Sequence, residues 1–234
     1  MFSGPVGAHA YKAAAAAGPF DAAVLLGPSH FVGFDGIAAY PSGAFDTPLG
    51  PARIDEHLVQ ELLDASPIVH AQPAAHGREH SLEMQLPFLR RLLPEVPIVP
   101  LLMAYQTRDV IEACADALAQ LAAGRHLLLV ASTDLSHYLP ARAALDHDSR
   151  VQQCVAAFDP ERLLAIFEHY PEGERGRFVA CGGGPAIAVM LAARARNARH
   201  ARVLKYMHSG EISGDHSGVV GYLAAAMGNF TDVH

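Results

Sequence analysis

The sequence predicts an α/β fold: a single three-layer domain over 1–234, with a mostly parallel or mixed sheet covered by helices on both faces. Three observations predict it. Segments of helical periodicity alternate with short apolar runs along the whole chain. The runs are continuous rather than alternating, as in strands buried on both faces. Glycine and proline punctuate the chain evenly, with no linker or internal repeat, and 234 residues suit one large domain.

The alanine-rich stretch 8–17 reads as a helix ended by Gly18-Pro19, and 22–26 as a buried strand stopped by Gly27-Pro28. A short strand is expected over 36–40. Ile54, Leu58 and Leu62 share a helical face, so 54–65 reads as a helix. The same period runs over 82–93, where Pro87 demands a late start or a kink. The run 96–103 is expected to be a strand, 108–123 a helix, and 126–132 the clearest strand in the chain. Helices are expected at 143–158, 160–169 and 185–196, and strands at 203–208 and 219–226 close the chain.

Composition narrows the function classes. Charged residues make up 18% of the chain, and its frequent Val, Leu and Ile runs exclude intrinsic disorder. The longest apolar runs, 127–131 and 219–227, fall far short of the ~20 residues a spanning helix needs, so no membrane partner is expected. Seventeen basic against twenty-four acidic side chains give a net charge of −7. The arginine-dense spots, Arg90-Arg91 and 194–202, read as solvated helix faces, so no nucleic-acid partner is expected either. Three cysteines, Cys114, Cys154 and Cys181, lie too far apart for a C-x-x-C zinc site or a disulfide frame. Their odd count suits a reducing cytosol, and the N-terminus does not read as a signal peptide, so the expected location is cytoplasmic. Fourteen histidines are many for this length; most are expected to be ordinary surface or core residues.

In a largely parallel sheet a ligand lies beyond the carboxyl ends of the strands, so the residues after each strand become site candidates. His30 follows the first strand, Asp134 and His137 follow the 126–132 strand, and His208 ends the 203–208 strand. Imidazoles so placed serve as metal ligands or a general base, although each alone reads as readily as a turn or cap histidine. Asp134 precedes His137 by three, a spacing that in a turn lets the carboxylate fix the imidazole tautomer. The run Cys181-Gly182-Gly183-Gly184-Pro185 opens the 185–196 helix. Its glycines allow close backbone approach, and the helix N-terminus favours an anion or a thiolate. A phosphate cradle is the rival reading, without the G-x-G-x-x-G or Walker lysine to support it; a buried, inert cysteine is the third. In the cluster EHSLEMQ, His80 and Glu83 are spaced to share a helix face. Neither H-E-x-x-H nor G-x-S-x-G occurs, which argues against a zincin and the common α/β-hydrolases.

The segments FSGPVGAHAYKA, LLGPSH, YPSGAFDTPLGPARID, EHSLEMQLPFL, ASTDLSHY, CGGGPA and DHSGVVGYLAAA run in order over nearly the whole chain. Together they resemble the Memo-like family, whose prokaryotic members are called AmmeMemoRadiSam system protein B. The resemblance implies a fold like that of the class III extradiol ring-opening dioxygenases. There two histidines and a carboxylate hold non-haem Fe(II), with positions open for O₂ and a catecholate; Memo-like proteins place a cysteine where the carboxylate would be. It implies His30 and Cys181 as metal ligands, His137 as the acid/base with Asp134 beside it, and His80 as a polar residue bordering the cleft. The implied cofactor is a divalent metal, Fe(II) first, with copper or zinc as alternatives. The implied activity is dioxygenase or related redox chemistry on a small aromatic substrate. The alternative is a non-enzymatic module that uses the same cleft to bind a peptide or partner protein, and a homo-oligomer is compatible with either. In the family a proline-histidine-alanine-glycine-tyrosine stretch precedes F-S-G and its histidine is another ligand. Here Met1 stands directly before Phe2-Ser3-Gly4, so that motif and its strand are expected to be missing from 1–234.

Overall fold

The computed structural model describes residues 2–230. The chain opens with helix α1 (Gly4–Ala17) and strand β1 (Ala22–Pro28), followed by β2 (Ile37–Ala39) and a small hairpin of β3 (Ala44–Phe45) and β4 (Ala52–Arg53). Helix α2 (Glu56–Ala65), β5 (Val69–Ala71) and the single turn α3 (Pro73–His76) come next. A 3-10 turn at Glu83–Gln85 leads into α4 (Leu86–Leu92), then β6 (Ile98–Met103), α5 (Arg108–Leu121), β7 (Leu127–Ala131) and β8 (His137–Leu139). Helices α6 (Ala141–Ala156), α7 (Pro160–His169), α8 (Glu172–Phe178) and α9 (Gly183–Ala195) follow, and β9 (His200–His208), α10 (Gly210–Ser213) and β10 (Val219–Gly228) end the chain.

Local chemistry sets several of these boundaries. The Asp55 carboxylate accepts from the Leu58 N–H to cap α2, and Asp159 caps α7 through the Arg162 N–H, with Pro160 at the first helical position. Pro87 likewise sits in the first turn of α4, where its missing N–H costs no hydrogen bond. That is the late start the sequence required.

Five strands form a mixed sheet in the order β5-β2-β6-β1-β7. β1 runs parallel to both β6 and β7, whereas β2 runs antiparallel to β6 and parallel to β5. Every residue of β1 and β6 is buried, which is why both read as unbroken apolar runs. Helices flank the sheet: α9 lies against β1 and β7 and packs on α5, while α2 lies against β5 and β6.

Two features of strand pairing go beyond what the sequence predicted. The last two long strands do not extend the parallel sheet; β9 and β10 pair antiparallel and, with β8, make a separate three-stranded sheet. Only residues 209–218 join them, too few for the crossover of a dozen or more residues that parallel pairing requires. Among the described residues β7 pairs with β1 alone and stands at the sheet's edge with all five residues half-buried. β7 and the distal part of β10 line the same groove, and no strand among the described residues pairs with either on that side. No single helix among the described residues is long and apolar enough to cross a membrane.

Candidate metal and proton-transfer cleft

β1 and β7 are parallel neighbours, so their carboxyl ends deliver the loops 29–36 and 132–136 to one edge of the sheet. His30 stands two residues beyond β1, Asp134 three beyond β7, His137 at the start of β8 and Cys181 two before α9. All four, together with His80, line one cavity of about 1270 Å³. The structure thus brings together every residue that the sequence singled out as a site candidate, apart from His208 and Glu83.

Glu79 organises the histidine side of the cleft. Its side chain is 2% exposed. It accepts four N–H donors: His30 N at 2.5 Å, His30 Nδ1 at 2.9 Å, His80 N at 2.9 Å and Ser81 N at 2.8 Å. Burial pushes the carboxyl up, but the bonds from His30 and Ser81 outweigh it and hold the group at about 2. With Nδ1–H donating to Glu79, His30 keeps Nε2 for a second partner. A hydrogen bond with the Cys181 side chain, then that to Glu79, raise His30 from 6.5 to about 10 against the opposing effect of burial. His80 stacks on His30 with ring centroids 5.0 Å apart and its Nδ1 3.7 Å from Glu79. Ligand atoms of His30, Glu79 and His80 all fall within 4.8 Å of one another.

The thiol side is fixed by backbone. Cys181 Sγ accepts from Asp134 N–H at 3.3 Å, and the Cys181 N–H donates to the Asp134 carbonyl at 3.3 Å. Gly182 N–H donates to Thr133 Oγ1, and Gln106 clamps the turn by donating to the Cys181 carbonyl and accepting from Gly184 N–H. A Cβ on Gly182 would stand 2.4 Å from the Ser132 carbonyl oxygen. The space that glycine provides there is taken by the protein's own loop, so the close approach expected of a ligand is made by the chain itself.

His137 Nδ1–H donates to the Gly176 carbonyl in α8 at 2.8 Å, while Asp134 Oδ2 lies 4.0 Å from Nε2. The Nδ1 proton is therefore fixed by Gly176, not by Asp134 as the spacing implied, and Asp134 faces Nε2. Burial raises the Asp134 carboxyl, with the charges of His137, His30 and His80 pulling it back down.

His208 ends β9, in the other sheet, and packs against His216 with centroids 5.4 Å apart. Glu83 is exposed, and the acid that His80 meets is its neighbour Glu79. His76, in ring contact with Tyr40 and Phe45, is a half-buried histidine that burial pushes down to about 4. Sequence reasoning singled out the cluster that Glu79 opens but gave Glu79 no role, and it missed Gln106 and Gly176. Glu79 left a signal, an acid directly before His80; a backbone carbonyl 39 residues from its imidazole left none.

Comparison with known proteins identifies the family. The model of the family described as "Memo-like protein" matches residues 1–226. A MEMO1 family protein of Methanopyrus kandleri is 38% identical over 229 residues, covering 96% of this chain and 78% of that protein. A MEMO1 family protein of Sulfurisphaera tokodaii is 33% identical over 233 residues, covering 98% and 80%. A crystal structure of an uncharacterized protein from Escherichia coli K12 shares the fold with a TM-score of 0.65 at 17% identity, over 95% of this chain and 92% of that one. A family model matching nearly the whole chain and relatives of 33–38% identity together show that the chain belongs to the Memo-like family.

Proposed function

We propose that the cleft holds a divalent metal ion through His30 and Cys181, with His80 beside them, and that His137 moves a proton on a small aromatic substrate. The observation that carries this reading is the setting of His30. A carboxylate bonded to one ring nitrogen is the usual support of a metal-ligating histidine, and the Cys181 side chain lines the same cavity as that ring. Glu79 spends its oxygens on four N–H donors, so it orients His30 rather than ligating. Imidazole and thiolate donors suit iron, copper or zinc and not the oxygen-seeking magnesium or calcium. A bound ion would supply Lewis-acid chemistry and, for iron or copper, redox chemistry. The chain's own residues do the rest. The Asp134 N–H holds the sulfur in place, and His137, with its proton fixed on Nδ1, presents Nε2 as the base. The Asp134 carboxylate, 4.0 Å away, favours the imidazolium that forms when Nε2 takes a proton.

A second reading, capture of a peptide in the same cleft, is favoured by the exposed Phe31, Met84 and Tyr138 close in sequence to the site histidines. Titration of the wild type with Fe(II), Cu(II) and Zn(II), followed by oxygen uptake with catechols, separates the two. His30→Ala and Cys181→Ser are expected to lose the metal, and His137→Ala to keep it while losing turnover. Metal binding indifferent to both ligand variants would overturn the ligand assignment. Tight metal without oxygen uptake, together with saturable peptide binding, would favour the module.

A further inference from the structure

Asp148 is an acid in the middle of helix α6, 0% exposed, that the proposed chemistry does not use. A carboxylate removed from water survives only where hydrogen bonds replace its hydration. Two do so here. Oδ1 accepts from the Ser136 N–H at 3.0 Å and Oδ2 from the Tyr206 hydroxyl at 2.8 Å. A third residue makes room. A Cβ on Gly221 would stand 2.0 Å from Oδ2, so the acid reaches its place only because β10 carries glycine there.

The placement matters because of what Ser136 belongs to. The loop 132–136 has no regular structure, yet it carries Asp134, leads directly into His137, and supplies the N–H that holds Cys181 Sγ. Such a loop takes its shape from its tethers. On its cleft side Asp134 and Cys181 exchange two bonds, and Thr133 receives Gly182 N–H. On its rear side Leu135 N–H donates to the Gly221 carbonyl at 2.8 Å, Gly221 N–H donates to the Ser136 carbonyl at 3.0 Å, and Asp148 takes the remaining Ser136 N–H. The loop is thus pinned from behind by β10 and by one side chain of α6.

We propose that Asp148 is a positioning residue for the cleft, acting through Ser136 to set the loop that holds Asp134, His137 and the Cys181 sulfur in register. The inference rests on the proposed use of that cleft. It adds a residue that touches neither metal nor substrate, and it gives Gly221 and Tyr206 a defined part in the site. Removing the carboxylate frees the Ser136 N–H; the loop then relaxes, and Cys181 loses the fixed donor at its sulfur. Asparagine in its place keeps the acceptor for Ser136 and turns its amide toward the Tyr206 oxygen, so the tether survives.

The test compares Asp148→Ala, Asp148→Asn and Gly221→Ala with Leu62→Ala, a core truncation in α2 with no tie to the loop. Co(II) affinity, the rate of Cys181 alkylation and the His137 tautomer seen in long-range ¹H–¹⁵N spectra are read for each, beside the melting temperature. Asp148→Ala and Gly221→Ala, the latter by displacing the acid, are expected to weaken Co(II) binding about tenfold or more. Both are expected to change the alkylation rate and lose the single Nδ1–H tautomer. Asp148→Asn should stay near the wild type, and Leu62→Ala should lower only the melting temperature. If Asp148→Ala behaves as Leu62→Ala does, or if neither Asp148→Ala nor Gly221→Ala folds, the acid is a folding determinant and the proposal falls. If the wild type binds no Co(II), the metal reading fails, while tautomer and alkylation still decide the role of Asp148.

Discussion

His30, set between Cys181 and Glu79, shows how contacts fix both charge and geometry. The folded state raises His30 from 6.5 to about 10 and depresses Glu79 from 4.5 to about 2. The histidine's contribution to stability is complete below 6.5 and fades as pH rises through about 10. The acid's is complete above 4.5 and fades as pH falls through about 2. The loss of melting temperature in Glu79→Gln is therefore expected to be greatest between pH 4.5 and 6.5 and to shrink on either side, as thermal melts across pH will show. At neutral pH, metal uptake is expected to displace a proton from His30, and Glu79→Gln to weaken Zn(II) binding about 10- to 100-fold in competition titrations. The three cysteines should also separate. Cys114 is buried, which pushes its thiol up to about 12, and burial raises Cys154 as well, whereas Cys181 is half-exposed on the cleft. Mass-spectrometric mapping of native protein after brief alkylation is expected to find label at Cys181 alone.

At the scale of elements, what matters most is how a turn and a loop lock together ahead of α9. Gly182 lets the Cys181 turn press on the Ser132 carbonyl, and its N–H meets Thr133. Gly182→Ala would force a Cβ into that contact, at a cost of about 1–3 kcal/mol of stability in denaturant unfolding. The same displacement moves Cys181 away from Asp134 N–H, so metal affinity should fall together with stability. The helices were legible wherever capping and apolar spacing agreed, as at α2 and α5, where Asp55 and Thr107 cap the first turn. α8 was not legible. Its seven residues, EGERGRF, bury none of their side chains, so no apolar face announces it, yet it carries the Gly176 carbonyl that sets His137.

For the whole molecule, the edge of β7 that no described strand covers is an energetic liability. A half-buried apolar strand with one unpaired side exposes both hydrophobic surface and unsatisfied peptide groups, a template for pairing with another strand. Phe2 and Ser3 line the same groove. The β7 amides are expected to exchange with solvent faster than those of β1 and β6, and the protein to self-associate as its concentration rises. Hydrogen exchange by mass spectrometry and sedimentation measure the two effects.

The sequence by itself determined the α/β class, the buried strands β1 and β6, most helices, and the clusters around His30, His80, Asp134, His137 and Cys181. These are local properties: burial imprints its period on neighbouring residues, and the rule that ligands lie beyond strand ends needs only strand order. Tertiary structure alone decided that β7 is an edge and that β9 and β10 pair with each other, because pairing joins residues whose patterns carry no mark of their partner. It also decided that Glu79 grips His30 across 49 residues, that Gly176 rather than Asp134 sets the His137 tautomer, and that Asp148 reaches Ser136 beneath Gly221. A hydrogen bond depends on where two atoms stand in space, and the chain between them leaves that distance open until the core has closed.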